Sequence, residues 1–107
     1  MQTYLEALEI LQEYIEEYQN LIVNSKINKY NSPLFLQYRS EIQDVIDFFN
    51  KNKEEVPFSL YQEFQKVIQS LHENDQILLQ ILPEIKRFIN LNHYRAKYPK
   101  DHWWWYS

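Results

Sequence analysis

The chain of 107 residues has the length of one domain, and its 45% hydrophobic and 24% charged residues, at a net charge of −4, are an ordinary globular balance. It contains no glycine, where average usage gives about seven, and no cysteine. Without glycine a P-loop, a dinucleotide fingerprint and an EF-hand loop are excluded; without cysteine so are disulfides, thiolate metal sites and thiol nucleophiles.

No apolar run reaches the ~18 residues that span a bilayer. The start, Met1-Gln2-Thr3-Tyr4-Leu5-Glu6, has neither the basic region nor the apolar stretch of a signal peptide. Together with the missing cysteines these features predict a soluble, cytoplasmic protein with no transmembrane segment.

The first helix is predicted over residues 4–23. Thr3 with Glu6 forms a capping box. Tyr4, Leu8, Leu11, Ile15, Tyr18 and Ile22 alternate four-three spacing, which is one face of a bundle helix. Residues 24–31 are a polar connection. Ser32 then reads as an N-cap and Pro33 as the first helical residue. The second helix is predicted to about Asn50, with Phe35, Tyr38, Ile42, Val45 and Phe49 inward. Residues 51–58 form a charged loop, and Pro57 keeps Val56 out of a helix.

Ser59 with Gln62 reads as a second capping box and opens a third helix, with Tyr61, Phe64, Ile68 and Leu71 inward. At Asn74-Asp75 two readings compete. Asn74 in a left-handed conformation and Asp75 as a cap make a corner and a fourth helix. Yet Leu78, Leu82, Ile85 and Ile89 stay in phase, so one long helix containing Pro83 is the rival. Four helices are the expectation, because a helix over residues 60–91 would be about 48 Å long and the second helix, about 27 Å, could not cover it. The predicted fold is thus an all-α, antiparallel up-down bundle of four or three helices over residues 1–93, followed by an aromatic and basic tail over residues 94–107.

Charge is unevenly spread. The first helix carries Glu6, Glu9, Glu13, Glu16 and Glu17; the C-terminal quarter carries Lys86, Arg87, Arg95, Lys97 and Lys100. Two acidic stripes, Glu13, Glu16 and Glu17 on one helix and Glu41, Asp44 and Asp47 on the next, have the spacing of bundle metal sites. Such sites also use Glu-x-x-His for nitrogen ligands, which is missing here, so the stripes read as solvated faces. No metal ion or cofactor is expected from the sequence. Among the histidines, His72 reads as a surface residue near a helix end.

Arg87 and His93 enclose five residues and Tyr94 follows. This spacing resembles the Arg-x4–6-His motif of HEPN ribonucleases, small four-helix proteins of similar length. The resemblance implies that Arg87 and His93 would act at a dimer cleft on an RNA phosphate and 2′-hydroxyl, the cation stabilising phosphorane charge and the imidazole moving a proton. It covers these few residues and the general architecture. It departs from the family where Phe88 stands in place of a polar residue and where Tyr94 adjoins His93 directly. Arg95 and His102 fit the same loose spacing.

The tail holds all three tryptophans, ending in Trp103-Trp104-Trp105-Tyr106-Ser107. No helical or strand period places four consecutive rings on one face, so at least one or two rings are expected to meet solvent or a partner. The tail then either folds back over the bundle, with indole N–H groups finding acceptors, or anchors a protein. It could also stack on nucleic-acid bases or sit at a membrane interface. The sequence points to a small non-enzymatic accessory or regulatory protein that binds a protein partner, a second copy of itself included. Tyr98, Trp103, Trp104, Trp105 and Tyr106 would be its anchors; Arg95, Lys97, Lys100 and His102 complete the partner-binding set. The alternative is an RNA-binding or ribonuclease subunit using Arg87, His93 and the basic tail.

Overall fold

The structure, a computed structural model, describes residues 3–107. Three long helices form it: α1 (Tyr4–Asn24), α2 (Ser32–Lys51) and α3 (Phe58–Lys86). A five-residue helix, α4 (Leu91–Arg95), and a single 3-10 turn, Trp103–Trp105, follow. The start of α1 meets the end of α2, where Tyr4 packs on Phe48 and Phe49 at 5.5 and 6.3 Å between ring centroids. Tyr4 also donates to Glu55 just before α3, at 2.9 Å, while further along Tyr18 bonds Asp75. The order is therefore up, down, up, with α2 antiparallel to both neighbours.

α1 forms as its sequence dictates. Thr3 Oγ1 accepts from the Glu6 backbone at 3.1 Å, and the Glu6 carboxylate accepts from the Thr3 backbone at 3.4 Å. Leu8, Leu11, Ile15, Tyr18 and Ile22 are all buried. The entries to α2 and α3 differ in detail from expectation. Asn31 takes the cap position of α2, and Ser32, inside the helix, donates back to the Asn28 carbonyl at 2.6 Å. α3 begins at Phe58 straight after Pro57 and has no side-chain cap, so the Ser59–Gln62 box does not form.

The corner expected at Asn74-Asp75 is also absent: α3 runs unbroken through it for 29 residues. The polar pair stays helical because each side chain finds a partner inside the fold. Asn74 donates to the Ser70 carbonyl one turn back at 3.2 Å, and Asp75 receives Arg39 and Tyr18. No described residue adopts positive φ. Pro83 is accommodated within α3 on its exposed side, where the carbonyl left without its partner has access to water.

The length objection to a continuous α3 is answered by the tail. At about 44 Å, α3 outreaches the roughly 30 Å α2. The segment after it folds back, so that Leu78, Leu82 and Ile85 share one buried cluster with Trp104 and Trp105. Ile77, Leu79 and Phe88 remain exposed at 36%, 47% and 43%. No helix among the described residues is long and apolar enough to cross a membrane.

Candidate functional site

The C-terminal segment forms an aromatic cap. Trp105 is stacked between Tyr94 and Tyr98, at 4.8 and 4.6 Å with the planes within 13° and 10°. Tyr106 closes the loop by donating its hydroxyl hydrogen toward the carbonyls of Arg95 and Tyr98, at 2.7 and 2.6 Å. Arg95 Nε donates to the Trp105 carbonyl at 2.7 Å. A run of rings that no regular period could sort is thus sorted by a turn, which sends Trp104 and Trp105 inward and leaves Trp103 and Tyr106 half-exposed.

One hydroxyl fastens this cap to the bundle. Ser40 Oγ accepts from Trp104 Nε1 at 2.9 Å and from Trp105 Nε1 at 2.8 Å, and lies 3.0 Å from His102 Nδ1. A serine oxygen has two lone pairs and one hydrogen. Two indole donors fill the lone pairs, so the hydrogen goes to His102 Nδ1, and the imidazole carries its own proton on Nε2. Among the described residues no fully buried side-chain nitrogen or oxygen lacks a partner; the imidazole is tied here through Nδ1.

Behind Trp104 lies a buried ion pair. Arg39 Nε donates to Asp75 Oδ1 at 2.9 Å and to Oδ2 at 3.2 Å, and its guanidinium sits 4.3 Å from the Trp104 ring centroid. Tyr18 Oη donates to the same Asp75 Oδ1 at 2.8 Å. Burial, and then the Asp75 charge, raise the Tyr18 hydroxyl far above the usual tyrosine range. Arg39 Nη1 donates to Gln43 Oε1 at 3.1 Å, and Gln43 Nε2 donates to Asp47 Oδ1 at 2.9 Å. Hydrogen bonds thus link Tyr18, Asp75, Arg39, Gln43 and Asp47 from the core to the surface.

The tail anchors expected from the sequence therefore divide. Trp104, Trp105 and His102 are buried within their own chain, the histidine at 2% exposure. Tyr98, Trp103, Tyr106 and Arg95 are half-buried, and Lys97 and Lys100 are exposed. Arg87 stands just past the end of α3 and His93 in α4, both exposed. His93 packs edge-on against Tyr94 at 5.1 Å. A groove of about 370 Å³ lies between α2 and α3, lined by Ile46, Tyr61, Phe64, Ile68 and polar neighbours, away from the tail.

Arg39, Ser40 and Gln43 were not singled out by the sequence. Of the inward face predicted for α2, Phe35, Ile42 and Phe49 are buried and Tyr38 and Val45 half-buried, while Ser32, Leu36, Arg39, Ser40 and Ile46 are buried besides. A four-three pattern that runs through an arginine was the available signal. The acidic stripe of α2 also gains a companion unseen in one dimension: His102 reaches Asp44 and Asp47 from the tail.

The fold and the site define an all-α bundle closed by an aromatic cap of its own chain. In comparisons with known protein families, curated proteins and solved structures, the chain matches none.

Proposed function

We propose that this chain is a small accessory protein that binds another protein through the outer face of its aromatic cap. The observation that supports the reading is the division of the cap. Its inner rings are fixed against Ser40, while Trp103 and Tyr106 stay half-exposed in a segment that also bears half-buried Tyr98 and exposed Lys97 and Lys100. Rings already held in place lose little freedom on docking, and tryptophan, tyrosine and arginine are the residues that dominate interface energies. The partner is a protein with an apolar pocket for Trp103 and an acidic rim for the lysines; a second copy, with its glutamate-bearing α1, has suitable charge.

The test compares capture by the wild-type chain with capture by Trp103→Ala carrying Lys97→Glu and Lys100→Glu. A protein retained by the first and lost by the second, with unchanged thermal unfolding of the bait, supports the reading. Identical captured sets overturn it. Sedimentation of the two forms decides the self-association version in the same way.

One observation favours a second reading, a nucleic-acid-binding subunit. Lys86 donates to the Ser107 hydroxyl at 3.3 Å and Arg95 to the Trp105 carbonyl at 2.7 Å, so two cations meet the same short stretch of the tail. Exposed Arg87, Lys97 and Lys100 extend that charge along the same end of the sequence. Affinity for single-stranded RNA that falls steeply with added salt would support it; binding indifferent to salt, or none, would remove it.

A further inference from the structure

We propose that Asp44, Asp47 and His102 form a binding site for a divalent first-row transition ion such as Zn²⁺, placed where the aromatic cap meets α2. One carboxylate oxygen from each aspartate and a ring nitrogen of His102 lie within 4.8 Å of one another. Asp44 and Asp47 are about one helical turn apart, so their side chains share a face. Two exposed carboxylates on a helix are commonplace. The feature that makes a site of them is His102, which is only 2% exposed and has Nδ1 engaged by Ser40. Nε2 is the nitrogen left for an ion.

Two of the three ligands are oriented from behind. Ser40 holds the far side of the imidazole. Gln43 Nε2 holds Asp47 Oδ1 at 2.9 Å and is itself held by Arg39. Outer partners of this kind fix ligand direction in protein metal sites. The donor set of one imidazole nitrogen and two carboxylate oxygens suits zinc, nickel or copper, whereas calcium and magnesium take oxygen. Bonds of about 2.0–2.2 Å place tetrahedral ligands about 3.4 Å apart, a closure that rotation of the exposed Asp44 supplies, with water in the remaining position.

Proton accounting ties the ion to the cap. The ion takes the Nε2 lone pair, so the imidazole proton moves from Nε2 to Nδ1, with none released overall. Nδ1–H then donates to Ser40, which already serves two indoles with two lone pairs. One indole hydrogen bond must yield, so occupancy of the site is transmitted to Trp104 or Trp105.

The experiment titrates Zn²⁺ into the chelator-treated full chain, followed by calorimetry and tryptophan emission. The expected result is one ion per chain and an emission change with the same midpoint, reversed by chelator. Asp44→Asn with Asp47→Asn, both at exposed positions, weakens binding by at least about tenfold. His102→Asn, whose amide oxygen still accepts from Ser40, abolishes it, with circular dichroism confirming the fold. His72→Gln and His93→Gln leave binding unchanged. No detectable binding, or binding that follows His72 or His93 and ignores Asp44 and Asp47, overturns the proposal.

Discussion

Ser40 and His102 stand 62 residues apart in sequence, yet their side chains meet at 3.0 Å, and the same serine oxygen takes both buried indole N–H groups. The hydrogen bonds of the buried indoles thus converge on one atom of α2, while packing on Leu78, Leu82 and Ile85 and the Arg39 guanidinium over Trp104 complete the attachment.

Ser40→Ala is expected to leave two indole donors unpaired in a buried site. At about 1–3 kcal/mol for each unsatisfied buried group, the loss is of the order of 3 kcal/mol, measured by urea unfolding. Tryptophan emission should shift to the red as the cap loosens. An alanine variant as stable as wild type would show that the serine does not fasten the cap.

Trp105→Ala removes a fully buried ring stacked between two tyrosines and is expected to destabilise by about 3–5 kcal/mol. Trp103→Ala, at a half-exposed position, should lose less than about 1.5 kcal/mol. Equal effects in parallel thermal melts would contradict the division of the cap into inner and outer faces.

Asp75→Ala strands the Arg39 guanidinium, which is 5% exposed, and orphans the Tyr18 hydroxyl; a loss of about 3–5 kcal/mol is expected. Combining Arg39→Met with Asp75→Asn removes both charges and keeps an acceptor for Tyr18. The double variant should recover most of that stability, and a double-mutant cycle in guanidinium measures the coupling. Additive losses would count against a specific pair.

Alkaline stability follows from the tyrosines. The Tyr18 hydroxyl is raised by burial and then by Asp75, the Tyr98 hydroxyl by burial first, and that of Tyr38 by the Glu17 carboxylate first. In the unfolded chain tyrosine ionises near pH 10. Below that value the stability these groups contribute is fully present. Above it the unfolded state releases protons that the folded state keeps, so stability falls as pH rises. Tyr18→Phe should flatten the fall measured by urea unfolding from about pH 9 to 11.5; an unchanged slope would show that Tyr18 does not carry it.

The helical character of the chain, the capping box at Thr3 and the inward face of α1 were legible because they are local: a 3.6-residue period and a cap three residues away need no tertiary information. The absence of glycine had already removed whole classes of nucleotide and calcium site. Other features depended on partners far away in sequence. Asn74-Asp75 reads locally as a corner, and becomes mid-helix only because Arg39 and Tyr18 satisfy Asp75 from two other helices. The length of α3 looked uncoverable until the tail folded onto it. Likewise the aromatic run offers no periodicity from which to sort inner from outer rings. That sorting rests on Ser40, whose small hydroxyl in α2 reveals its three tail contacts only when the chain is folded.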